Sequence, residues 1–169
     1  MSVILVLTLF HVLISLVAVV AGLGLIRRLI GNGKDAILAQ WFLVTMAVTL
    51  VTGFLFPFNG ITPAINVGIL CTVILLVTLY ARYRGRLAGF WRPTYVAGVT
   101  LLMFFNTLVL IIQSFQKIGP LHALAPLGNE PAILACQLIL LLTSLAAGIM
   151  GVLRFRPSLS VPGASIPSA

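Results

Sequence analysis

Five long apolar stretches within 169 residues predict an all-α fold, an integral membrane bundle of five transmembrane helices. Composition points the same way, with 61% of residues hydrophobic, only 7% charged and a mean hydropathy of +1.23. A soluble domain carries roughly 25% charged residues, so a chain this apolar lacks the polar surface that water demands. The third observation is the placement of charge: the ten Lys and Arg residues fall between the apolar stretches and at their ends, with a net charge of +8. That is the pattern of membrane topology rather than of nucleic-acid binding, and no nucleic-acid partner is expected.

A helix crossing a bilayer needs about 20 mostly apolar residues. The first span runs over 3–26 and ends at Arg27 and Arg28. The second covers 36–56 and is stopped by Pro57, which cannot continue a helix. The third, 64–81, lies between Pro63 and Arg82. The fourth, 94–114, follows Pro93, and the fifth, 132–153, follows Pro131 and precedes Arg154. Proline just before a span suits the first helical turn, where its missing N–H has no partner to lose. Residues 1–155 thus form one transmembrane domain, and the Pro- and Ser-rich stretch 156–169 reads as a disordered cytoplasmic tail. A cleaved signal peptide at the start would need a basic leader and a shorter apolar core. Met1 to His11 contains no Lys or Arg, so the first stretch is read as a span.

Alternating spans place Arg27, Arg28, Lys34, Arg82, Arg84, Arg86, Arg92, Arg154 and Arg156 on one side, leaving Lys117 alone on the other. The positive-inside rule makes the basic side cytoplasmic, with the N-terminus outside and the C-terminus inside. Trp41, Tyr80, Tyr83, Trp91 and Tyr95 gather near the same interface, as an aromatic belt does. Asp35 and Glu130 each fall at the start of a span, where the helix dipole favours negative charge.

Inside lipid, small and polar residues turn toward neighbouring helices. Thr8, His11, Ser15, Ala18 and Gly22 share a face of the first span; Trp41, Thr45, Thr49, Thr52 and Gly53 share one on the second. The third has a weaker stripe of Gly68, Cys71 and Thr72. Met103, Asn106, Leu110, Gln113 and Lys117 align on the fourth, and Gln137, Ser144, Gly148 and Gly151 on the fifth. The strongest hydrogen-bonding groups, His11, Thr49, Thr52, Asn106, Gln113 and Gln137, fall in the outer half of the membrane and make a candidate outer polar pocket. His11 is the only ionisable His, Lys, Arg or acid well inside a span, and such residues are functional candidates. It serves equally well as a hydrogen-bonding group between packed helices.

His122, in the loop before the fifth span, is a second candidate. Paired with His11 it could ligate a haem iron, but axial ligands must face each other across one porphyrin, and the separate settings of the two histidines oppose that. A quinone would need only an apolar slot with one or two donors, which His11, Asn106 and Gln113 offer. No metal site is expected: Cys71 and Cys136 lie inside apolar spans as small hydrophobes. No catalytic residues are assigned, since phosphate-binding loops, nucleophile triads and metal-ligand spacings are missing from the sequence.

The segments Thr52-Gly53-Phe54-Leu55-Phe56-Pro57-Phe58, Thr62-Pro63, Phe115-Gln116-Lys117 and Leu121-His122-Ala123-Leu124-Ala125-Pro126 resemble parts of small uncharacterised bacterial inner-membrane proteins. The resemblance spans the second to the fifth helix. It implies a bacterial cytoplasmic membrane and carries no activity or site residue with it. The expected function is that of a non-enzymatic accessory or assembly partner of a membrane complex, with a membrane-protein partner or a second copy as its neighbour. The alternatives are a quinone- or haem-associated redox subunit and a small-solute transporter or channel.

Overall fold

The computed structural model describes residues 3–33, 36–57 and 63–156. Its helices are α1 (Val3–Ile30), α2 (Ala36–Phe54), α3 (Pro63–Tyr83), α4 (Trp91–Lys117), a short α5 (Gly119–Leu124) and α6 (Pro131–Arg154). All except α5 are long and apolar enough to cross a membrane, which makes this an all-α multi-pass membrane bundle. Lys34, Asp35, the loop residues 58–62 and the tail 157–169 lie outside the described residues.

Helix bounds depart from the hydropathy bounds where backbone chemistry overrides polarity. α1 continues past Arg27 and Arg28 to Ile30. It ends where Asn32 takes a left-handed conformation (φ 54°) and the N–H groups of Asn32 and Gly33 reach back to the carbonyls of Leu29 (3.4 Å) and Arg28 (2.9 Å). This paired reach-back satisfies carbonyls that the helix end would otherwise leave open. α2 stops at Phe54, two residues before the expected end. α4 begins at Trp91, ahead of Pro93, and runs to Lys117. Proline in a first turn displaces no helical hydrogen bond, so the helix start is free to precede it.

α4 is the central helix and packs against α1, α3, α5 and α6, while α1 also meets α2 and α6, and α2 meets α3. The main core joins Leu25, Leu29, Phe42, Met46, Leu75, Tyr95, Val99 and Leu102 from four helices. Close approach is set by small residues. A methyl group on Gly98 would run into the Thr78 side chain, so α3 and α4 touch almost backbone to side chain there. On Gly22 it would lie 2.6 Å from Met103 Sδ and 2.9 Å from Phe42 Cε2, which packs α1 against both α2 and α4. Gly151 meets Val96 in the same way, at 2.8 Å from Cγ1, joining α6 to α4.

The expected stripes largely face inward. Ser15, Ala18 and Gly22 of α1 are buried, as are Thr45, Thr49 and Thr52 of α2. Trp41 is the exception and is exposed, while its neighbour Phe42 is buried against Gly22; Gly53 is exposed but lies against α1, where an added methyl would be 3.5 Å from His11 Cε1. The aromatic belt also needs one correction. Trp41, Tyr80 and Tyr83 are more than half exposed, but Tyr95 is fully buried. Burial is possible because Arg82 Nη1 donates to the Tyr95 hydroxyl at 2.9 Å, giving the phenol its partner.

Overpacking a tight helix contact typically costs about 1–3 kcal/mol. Gly98→Val should therefore lower the melting temperature in detergent clearly, whereas Gly119→Ala, where an added methyl meets nothing within 4 Å, should leave it nearly unchanged. Equal melting temperatures for the two variants would remove the close α3–α4 contact.

Candidate functional site

The bundle has two chemically different ends. At the basic end, α1, α3 and α6 finish and α4 begins. Three hydrogen bonds fix this convergence: Arg82 to Tyr95, Arg92 Nη1 to the Phe155 carbonyl at 2.7 Å, and the Arg156 N–H to Asn32 Oδ1 at 2.6 Å. The opposite end carries the α4–α5 turn, the loop into α6 and, among the described cations, only Lys117.

The candidate polar residues lie toward that opposite end, and they divide rather than converge. His11 of α1 meets α2: its Nδ1 lies 2.9 Å from Thr52 Oγ1, and its ring stands edge-on to Phe56 at 5.5 Å between centroids. The Thr52 hydroxyl hydrogen is directed to the Val48 carbonyl (2.8 Å) and shared with that of Thr49 (3.1 Å). Thr52 therefore accepts, and His11 Nδ1–H donates. One turn deeper, α1 meets α4. Ser15 Oγ donates to Asn106 Oδ1 at 3.0 Å, and Asn106 Nδ2 returns a bond to the Ser15 carbonyl at 3.2 Å. Ser15 was visible in the sequence only as a member of the α1 stripe, because a lone serine in an apolar span carries no signal of its partner.

Thr49 joins neither pair. Its Oγ1 is buried without a hydrogen-bond partner among the described residues, as is Thr107 Oγ1 on α4. The Gln113 side chain makes no hydrogen bond among the described residues. Gln137 belongs to a separate recess of about 160 Å³, where it is joined by His122 of α5 and Gln116 of α4 over walls that include Ile112, Phe115 and Ile133. Phe115, Ala125 and Ile133 are the buried floor of a second, smaller core that joins α4 to the start of α6 and receives Leu121 of α5. His11 and His122 thus serve different parts of the bundle, the first on α2 and the second above the α4–α6 seam.

The loop over this recess is shaped by one carboxylate. Glu130 accepts the N–H groups of Leu127 (2.7 Å) and Asn129 (3.0 Å) just before α6, while Gly128 takes a positive φ of 79°. Desolvation pushes the Glu130 carboxyl up. Hydrogen bonds from the backbone of Leu127, Glu130 itself, Asn129 and Gly128 outweigh it and hold the group below its ordinary value. Glu130 therefore stabilises the loop fully above the ordinary carboxylate range, and that contribution fades as the pH falls through the lowered value.

The described residues include no group of three His, Cys, Asp or Glu side chains close enough to hold a metal ion. Cys71 is buried and Cys136 half-buried, both as free thiols. What the fold and these contacts define is a multi-pass membrane bundle with a hydrogen-bonded polar seam and a small recess at one end. No family model, curated protein or solved structure matches the chain.

Opposite effects are expected from two neighbouring threonines. Thr52→Val removes the acceptor of His11 and should lower the melting temperature. Thr49→Val removes an unpaired buried hydroxyl, worth about 1–3 kcal/mol, and should hold or raise it. Double-mutant cycles for His11/Thr52 and Ser15/Asn106 should each give a coupling near 0.6 kcal/mol and below about 1.7 kcal/mol; zero coupling in both would dissolve the seam. The amide resonances of Leu127 and Asn129 should titrate with a midpoint below the ordinary glutamate value, and the titration should vanish in Glu130→Gln.

Proposed function

We propose that the protein is a non-enzymatic accessory or assembly partner of a larger membrane complex. The observation that supports it most is the polar seam itself: His11 with Thr52 and Ser15 with Asn106 are spent on one another, tying α1 to α2 and to α4. Groups engaged in this way hold helices in register. A solute path would instead leave them facing an open channel, so the transporter reading draws less support.

The proposed setting is the bacterial inner membrane, with the N-terminus outside and the C-terminus in the cytoplasm. Its support is the convergence of eight arginines, Arg27, Arg28, Arg82, Arg84, Arg86, Arg92, Arg154 and Arg156, at one end of the bundle. The partner is a membrane protein or a second copy of the chain.

The recess favours one second reading. His122, Gln116 and Gln137 surround a slot with apolar walls, and their side chains make no hydrogen bonds among the described residues. A quinone head group, with two carbonyl acceptors, fits such donors in kind. A haem held by both histidines draws no such support, since His11 is engaged with Thr52 on α2.

Purification from native membranes in mild detergent separates these readings. The accessory reading expects the chain to migrate with stoichiometric membrane partners, or as a defined oligomer, and without quinone. Recovery only as isolated copies would contradict it, and quinone lost on His122→Ala would favour the redox reading.

A further inference from the structure

α4 and α6 touch along a seam of small residues. A methyl group on Gly148 would lie 3.3 Å from Thr100 Cγ2, and one on Gly151 would lie 2.8 Å from Val96 Cγ1. Above this closed seam runs an open, almost wholly apolar furrow of about 450 Å³, walled by Ala97, Leu101 and Phe104 on one side and by Leu145, Ile149 and Leu153 on the other. Thr100, in its floor, directs its hydroxyl to its own helix at the Val96 carbonyl, 2.9 Å away, and so presents its methyl. A furrow of this kind on the flank of a bundle faces hydrocarbon, and something apolar fills it. A helix is about 10–12 Å across with its side chains. α4 and α6 already meet at the floor, which leaves a trough suited to a slender chain.

Charge decides what that chain is attached to. The furrow ends at Ala97 and Leu153, beside the start of α4 and the finish of α6. Arg92 bridges these two helix ends by donating to the Phe155 carbonyl at 2.7 Å. Arg154 directly follows Leu153, Arg156 directly follows Phe155, and both are exposed. No acid among the described residues lies at this end, since Glu130 sits at the other.

We propose that this is a site for one anionic phospholipid, with its phosphate against Arg92, Arg154 and Arg156 and one acyl chain laid along the α4–α6 furrow. Guanidinium groups match a phosphate in charge and in hydrogen-bonding geometry. The apolar trough supplies what a free phosphate cannot use. The site is independent of the accessory reading, because it needs no protein partner.

Native mass spectrometry of the full chain, stripped of lipid and titrated with phosphatidylglycerol, phosphatidylcholine or inorganic phosphate, tests the site. Wild type should bind one phosphatidylglycerol in preference to phosphatidylcholine by roughly 30- to 150-fold, as expected for two or three arginines near one head group. Arg154→Gln with Arg156→Gln keeps the Arg92 bond and the Arg156 backbone contact, so it should fold, and it should lose most of that preference. Arg84→Gln with Arg86→Gln, on the α3–α4 loop, should keep it. Ser144→Phe, which fills the furrow, should weaken both lipids. Equal binding of the two lipids by wild type, an equal loss in the Arg84 and Arg86 variant, or full competition by inorganic phosphate would each overturn the proposal.

Discussion

Hydrocarbon offers no hydrogen-bond partner, and that constraint orders everything inside this bundle. A polar side chain within a span has two outlets, its own helix or a neighbouring one. Most of the threonines take the first. Thr45, Thr72, Thr78 and Thr100 each bond a carbonyl four residues back. This frees their methyl groups for packing, and two of them, Thr78 and Thr100, become the surfaces on which Gly98 and Gly148 rest. His11, Ser15 and Asn106 take the second outlet, and Thr52 uses both, donating within its own helix and accepting from His11. Midway along the spans the interhelical bonds therefore sit where α1 meets α2 and α4, while the α3–α4 and α4–α6 contacts depend on close packing there and on the Arg82–Tyr95 and Arg92–Phe155 bonds at the basic end. In a membrane, where burying apolar surface between helices brings no gain over lipid, these are the two forces left to hold helices together.

The basic end is the most constrained part of the molecule. Asn32 works twice there, closing α1 through its left-handed backbone and receiving the Arg156 N–H through its side chain. Arg82 sits over the Tyr95 ring at 5.4 Å while donating to its hydroxyl, so one cation both stacks on and satisfies a buried phenol. The α3–α4 loop carries Arg86 and Leu87 at positive φ, near 49° and 55°. Strain of this kind persists where surroundings hold it, here with Leu87 N–H bonded to the Ala81 carbonyl at 3.1 Å and with the Trp91 ring against Gly85. The other end is held more lightly, by the Glu130 clamp and the small core beneath α5.

Hydropathy made the number and order of spans legible, because a run of apolar residues about 20 long has few alternatives. It could not set the helix ends. Arg27 and Arg28 look like a stop, yet α1 ends only where Asn32 turns. Periodicity found the inward faces of α1 and of most of α2, but mistook Trp41, whose neighbour Phe42 takes the inward face beside Gly22. The polar candidates were individually visible and their pairing was not. Depth and stripe alone put His11, Thr49, Thr52, Asn106, Gln113 and Gln137 in one neighbourhood. Which helices adjoin then decided that Thr52 receives His11, that Asn106 receives Ser15, and that Gln137 turns toward His122. The α4–α6 furrow was invisible for the same reason, being a property of two helices in contact rather than of either one.

Five crossings bring the ends of α1, α3 and α6 and the start of α4 to one face of the bundle. Single cysteines at Arg86→Cys and Leu127→Cys, both exposed loop positions, read this directly when a membrane-impermeant maleimide is applied to sealed vesicles of known orientation. Labelling is expected from opposite sides, with the Arg86 position reached only from the cytoplasmic face. Labelling of both positions from the same side would contradict this arrangement.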